Sequence, residues 1–226
     1  VKVVCAWYGS DSLDDRLLQG LQRSMAKNAP LTPFQVILTN EPGETSTGDR
    51  FAPKIKAWRN ATDAAAYGDI LLFIDADCIV LRELRSLEAA MATRYTVAHA
   101  PRAGRFPYNV GVVAVCADTK GRQFMHDWYV RTKWHSETEQ RVRDAKRAHG
   151  STDQAAFADV LSRFPGDVLE LPDKVWNLCQ GWERLDDTTR IVHYRGKCSR
   201  KLLKGADDYP KRMTQAFREY VLCDTK

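Results

Sequence analysis

The segment Leu71-Leu72-Phe73-Ile74-Asp75-Ala76-Asp77-Cys78-Ile79-Val80-Leu81 constrains the fold more than any other part of this chain. Two carboxylates interrupt a run that is otherwise wholly apolar, the pattern of a central strand covered on both faces. Desolvating an ionised Asp is costly, so Asp75 and Asp77 require compensating charge or exposure. The run predicts a strand ending at Asp75, with the acidic pair at its carboxyl end, where open α/β sheets take their ligands. Extended geometry would turn both carboxylates to the same side, within reach of one hard cation. A divalent ion held this way and completed by phosphate oxygens suits a nucleotide diphosphate. The plainer alternative gives one Asp to a helix cap and leaves the other solvated.

Around this segment strands and helices alternate. A strand over 1–6 precedes a helix from Ser12 that carries Leu13, Leu17, Leu18, Leu21 and Met25 on one face. Pro30 and Pro33 end that helix, and a second strand follows over 34–38. Residues 41–48 read as a loop, 53–67 as a helix leading into the acidic strand. Further expectations are a helix over 82–92, strands over 95–99 and 110–116, and a helix over 120–134. The charged stretch 135–150 reads as an exposed helix or an excursion. A helix over 153–163, short strands over 168–171, 174–178 and 190–194, and an amphipathic helix over 208–222 complete the chain. The 226 residues fit one α/β domain with a mostly parallel sheet flanked by helices and an irregular second half of short strands. Residues 1–118 are expected to form a nucleotide-binding half, and 119–226 an acceptor and closing half with a basic tail.

The six cysteines lack metal-site spacing, which argues against zinc. Thiols of this kind, with no export signal at residue 1, predict a cytoplasmic, soluble protein. Net charge is only +5, but from Arg190 onward ten basic residues face four acids. Such a tail could hold a diphosphate, steer an anionic acceptor, or be a solvated face.

Downstream of the acidic pair come Phe106-Pro107-Tyr108-Asn109-Val110-Gly111-Val112-Val113, Ser151-Thr152-Asp153-Gln154, Trp176-Asn177 and Ile191-Val192-His193-Tyr194-Arg195-Gly196-Lys197. This ordered series resembles the GT-A-fold glycosyltransferases, above all the family 8 group of glycogenin and the bacterial galactosyltransferases. That group carries a D-x-D, an N-x-G before a strand, a D-Q opening a helix, and a late H-x-x-G-x-x-K. The family's closing Lys-Pro-Trp is absent, since Lys197-Cys198-Ser199-Arg200-Lys201 follows Gly196.

The resemblance implies transfer of a sugar from a nucleotide diphosphate donor, with a uridine nucleotide as the family default. Asp75, Asp77 and His193 would ligate Mn²⁺ or Mg²⁺, the imidazole favouring manganese. Arg195 and Lys197 would pair with the diphosphate, Gly196 allowing close backbone approach. Lys54 and Ala76 correspond to donor contacts, and Asn109 with Gly111 to the sugar-contacting turn. Asp153 and Gln154 would face the reacting sugar, and Tyr8 and Asp11 the nucleotide base. Each also has an ordinary reading: a solvated helix lysine at 54, turn chemistry at 109–111, a helix first turn at 153–154.

For the acceptor, the basic tail and Arg141, Arg143, Lys146 and Arg147 suggest a polyanion, such as a hydroxylated base in DNA. The alternative is a glycan, for example a lipopolysaccharide core. Two other classes are weaker. A haloacid dehalogenase-type phosphohydrolase would want Ser or Thr where Ile79 stands, and a purely nucleic-acid-binding module leaves Asp75 and Asp77 without purpose.

Overall fold

The computed structural model describes residues 1–7, 12–39, 49–92, 94–102, 106–179, 184–194, 197–203 and 209–222, with backbone alone for Ser12, Leu13, Asp14, Lys197, Arg200 and Leu203. The first half runs β1 (Lys2–Trp7), α1 (Ser12–Asn28), β2 (Phe34–Leu38), α2 (Phe51–Ala64), β3 (Ile70–Ile74), β4 (Cys78–Val80), α3 (Ser86–Met91), β5 (Val97–Pro101) and β6 (Tyr108–Cys116). The second half runs α4 (Thr119–Ser136), α5 (Glu139–His149), α6 (Thr152–Leu161), β7 (Val168–Glu170), α7 (Asp173–Trp176), β8 (Ile191–His193), α8 (Lys197–Leu203) and α9 (Lys211–Phe217), extended by a π turn over Arg218–Leu222.

Six strands form one sheet in the order β2-β1-β3-β6-β5-β7, while β4 and β8 form a separate pair. The sheet is mixed: β1 runs parallel to β2 and β3, and β5 parallel to β7, whereas β6 is antiparallel to both β3 and β5. The carboxyl end of β3 therefore meets the incoming end of β6.

Alternation along β3 explains its unbroken apolar sequence. Leu72 and Ile74 enter a core with Val3, Cys5, Leu21, Met25 and Leu87. Leu71 and Phe73 enter the opposite core with Ile55, Trp58, Phe124, Trp128 and Phe157. Successive side chains point to opposite faces, and helices cover both, so neither parity has room for a polar group. A third core joins the Leu17 and Ile79 side chains to Leu178, Val192, Tyr194, Met213 and Phe217. It fastens the last helices to α1 and to the β4–β8 pair.

Several expected elements change. The stretch 174–178 is not a strand; α7 occupies Asp173–Trp176, and Leu178 alone bridges Val192. Pro172 has its φ fixed at −57° and its carbonyl accepts from Val175 and Trp176, so the strand expectation is overruled by a proline-started turn. The helix predicted over 82–92 shortens to Ser86–Met91. The strand predicted over 95–99 shifts to Val97–Pro101. For the charged stretch the helical reading holds, as α5, ended by Gly150 at φ 93°. A further helix, α8, begins at Lys197 where a loop was expected. The predicted loop over 41–48 lies outside the described residues. Among the described residues no helix is long and apolar enough to cross a membrane.

Candidate active site

The strand ends before Asp75, as expected, but the acidic pair lies in a β-turn, which corrects the expectation that extended geometry turns both carboxylates to one side. The Cys78 N–H donates to the Asp75 carbonyl at 3.1 Å, closing the turn Asp75-Ala76-Asp77-Cys78. On one side β3 hands over to β6, the Asp75 N–H donating to the Gly111 carbonyl at 2.8 Å. On the other, β4 pairs with β8, Cys78 lying opposite His193, and the Tyr194 N–H donates to the Asp77 carbonyl at 2.8 Å. The carboxylates thus converge because the chain turns and because β8 brings an imidazole between them. His193 Nε2 stands 3.1 Å from Asp77 Oδ1 and 3.9 Å from Asp75 Oδ2.

Hydrogen bonding fixes how His193 is presented. The Asn177 Nδ2 donates to the Asn109 carbonyl at 3.2 Å, which leaves Asn177 Oδ1 to face His193 Nδ1 at 3.1 Å. Nδ1 therefore carries a proton, and Nε2 is the atom turned toward the carboxylates. Burial opposes charge on this imidazole, but Asp77 and then Asp75 outweigh it, and its pKa rises above 6.5. Burial likewise pushes the Asp75 carboxyl upward, against the pull of Lys54 and His193.

These residues fit a hard divalent ion. His193 offers one nitrogen lone pair once its Nε2 proton leaves, and the carboxylates of Asp75 and Asp77 keep 28% and 22% exposure, an open side for a substrate oxygen. Asp77, Cys78 and His193 form a tighter group, with ligand atoms within 4.8 Å of one another. Cys78 is the weaker member: burial first, then Asp77 and Asp75, drive its thiol well above the ordinary range and keep it protonated. Asp75 therefore remains the better third donor than the sulfur.

Gly111 is fixed by proximity. A Cβ on it would lie 2.1 Å from His193 Cε1, 2.5 Å from Nδ1 and 3.0 Å from Asp75 Oδ2. Only hydrogen leaves space for the ring. Gly111→Ala is expected to push His193 off its position, costing about 1–3 kcal/mol of stability and weakening manganese binding about 100-fold. Manganese titration followed by electron paramagnetic resonance checks this; wild-type affinity in the variant would refute the packing account.

Lys54 is no solvated helix lysine, at 4% exposure. Its Nζ lies 2.6 Å from Asp153 Oδ2 and 3.3 Å from Asp75 Oδ1, and 4.8 Å from the Trp58 ring centre. Asp153 is 1% exposed, its Oδ1 accepting from Ser151 Oγ and from the Gln154 N–H. Gln154 donates from Nε2 to Ser151 Oγ at 2.7 Å, while its Oε1 is buried without a partner. Asn109 turns inward. Its Oδ1 accepts from the Gly111 N–H at 3.0 Å and its Nδ2 faces Cys179 Sγ at 3.1 Å, so it braces the β6 entry.

The structure thus gathers Lys54, Asp75, Ala76, Asp77, Asn109, Gly111, Asp153, Gln154 and His193 at one end of the sheet. Tyr8, Asp11, Arg195 and Gly196 lie outside the described residues, and so does the Lys197 side chain. Sequence reasoning gave no role to Asn177, which orients His193; the Trp176-Asn177 pair within the ordered series was its only trace.

No family model matches the chain, and no curated protein matches it in sequence. Solved structures do match. A glycosyltransferase involved in the glycosylation of the major capsid of PBCV-1 superposes with a TM-score of 0.65 at 12% identity, over 88% of this chain and 95% of that one. The glycosyltransferase GlyE of Streptococcus pneumoniae TIGR4 gives 0.65 at 18% identity, over 99% of this chain but only 61% of GlyE. The galactosyltransferase LgtC, solved with donor and acceptor sugar analogues, gives 0.56 at 14% identity, over 96% of this chain and 100% of that one. The fold is that of the GT-A glycosyltransferases, as the sequence resemblance implied.

Proposed function

We propose that this protein is a metal-dependent glycosyltransferase that moves a sugar from a nucleotide diphosphate, with uridine as the expected base, to a glycan hydroxyl. One observation carries the reading: in a GT-A fold, Asp75, Asp77 and the Nε2 of His193 converge at the carboxyl end of β3. A divalent ion bound there supplies positive charge to the diphosphate leaving group. His193 serves through a nitrogen held in place by Asn177, and Gly111 keeps that ring from being displaced. Lys54 pairs with Asp153 beside the acidic turn, and the buried carboxamide oxygen of Gln154 is left without a partner next to it.

The charge argument for DNA loses force locally. On and beside α5, Arg141 pairs with Glu137 at 2.8 Å and Arg143 with Glu139 at 3.2 Å, which cancels part of the expected basic face. A glycan acceptor is the reading with more support.

Incubating the protein with Mn²⁺ and a panel of nucleotide sugars, without acceptor, should release the nucleoside diphosphate from one of them. Failure across the panel, with manganese binding demonstrated, overturns the assignment. Proton linkage gives a second test. The proton on His193, whose pKa is raised, contributes stability in full below pH 6.5, and this is lost as pH rises through the raised value. A metal needs the neutral ring, so manganese affinity should increase across that same window and fall by about 10-fold between about pH 8 and about pH 6. Calorimetric titration in buffers of different ionisation heat would show proton release on binding; pH-independent affinity removes His193 from the ligand set.

A further inference from the structure

Arg102 has no role in the site described so far. It follows β5, and its N–H donates to the Pro107 carbonyl at 2.8 Å, next to the Pro101–Tyr108 pair of β5 and β6. The residue is 8% exposed, and its Nε and Nη1 are buried without a hydrogen-bond partner. Among the described residues no carboxylate forms an ion pair with it. Its neighbours are the Phe106 ring, whose centre is 6.0 Å from Cζ, and the thiol of Cys179. A guanidinium keeps its charge in any protein environment, and burying one without a counter-ion costs several kcal/mol.

Phe106 connects this cation to the sugar side of the site. A Cβ on Gly150 would meet Phe106 at 3.6 Å and Gln154 Nε2 at 3.5 Å, so both side chains pack on that glycine. Gln154 presents the unpartnered Oε1, and the next residue back, Asp153, binds Lys54. Arg102 and Gln154 are thus linked through Phe106 and Gly150, the one with buried unpartnered donors and the other with a buried unpartnered acceptor. A ligand answering both needs a negative group and a hydroxyl. A carboxylate matches the single positive charge, whereas a phosphate monoester, near −2 at neutral pH, would leave an excess.

We propose that the sugar substrate is an acid: its carboxylate sits on Arg102 and a neighbouring hydroxyl donates to Gln154 Oε1. This rests on the transferase reading above. The carboxylate could belong to the donor sugar or to the acceptor sugar, and two arms separate them.

Binding of UDP and of the other nucleoside diphosphates with Mn²⁺ is measured first. Calorimetry then compares UDP-glucuronate with UDP-glucose, and, with UDP and Mn²⁺ present, methyl glucuronide with methyl glucoside. Wild-type protein should prefer the acid about 10- to 100-fold in one arm. Arg102→Gln should abolish that preference, and Arg102→Lys should keep part of it. Equal affinities for acid and neutral sugar in both wild-type arms overturn the proposal, as does a preference that survives in Arg102→Gln; the wild-type comparison stands even where a variant fails to fold. Absence of binding by UDP and by the other nucleoside diphosphates overturns the transferase reading and this proposal together, whereas UDP binding without acid preference overturns this proposal alone.

Discussion

Replacing Asp77 with Asn is expected to lower sugar transfer about 10³-fold while leaving the fold in place. The main-chain role of Asp77, its carbonyl accepting from the Tyr194 N–H, survives in Asn, which has nearly the same shape. What disappears is one negative charge 3.1 Å from His193 Nε2. The cation then loses a ligand, and the imidazole loses the stronger of the two carboxylates that raise its pKa. Nucleoside diphosphate release measured against Mn²⁺ concentration, with circular dichroism as the control for folding, reads the effect. Unchanged turnover at low Mn²⁺ would count decisively against a metal at this site.

The second large effect concerns stability. Lys54→Met leaves Asp153 buried at 1% exposure without its counter-charge, and unfolding free energy should fall by about 3–5 kcal/mol. Urea denaturation of the single variant and of Lys54→Met/Asp153→Leu separates pairing from packing. The double variant should recover at least about half of the loss, since Asp153 is no longer a buried charge without Lys54, while Asp75 still lacks it. A single variant within about 1 kcal/mol of wild type would mean that Asp153 finds its compensation elsewhere.

Those two residues also mark how far the sequence could be read. The β3 run was legible because burial on both faces leaves a continuous apolar signature, and β1 and β6 were legible for the same reason. The gathering of Asp75, Asp77 and His193 was expected from their resemblance to a known pattern, yet the stated geometry was incorrect. Period-two extension was assumed, where a turn at Asp75-Ala76-Asp77-Cys78 and an antiparallel partner strand do the work. Hydrogen-bond closure of a turn leaves no trace in hydrophobic periodicity. Lys54 was ambiguous because a lysine on an amphipathic helix reads as solvated until its partner, Asp153, is seen across the core. The stretch after Pro172 misled for a related reason. The short apolar-rich stretch Lys174-Val175-Trp176-Asn177-Leu178 suggests a strand, but a proline-led turn satisfies the backbone sooner. Arg102 gave no sequence signal at all, because an unpaired buried charge is a property of surroundings rather than of neighbours in the chain.

The pairing of β4 with β8 has a consequence for the making of this protein. Cys78 finds its strand partner only when His193 arrives, so the two acidic side chains acquire their nitrogen from the far part of the sequence. During synthesis the early half can collapse around β1 and β3 before the imidazole is in place. On the proposed function, donor cleavage would wait until the last short strand docks, so an incomplete product would stay silent instead of wasting activated sugar.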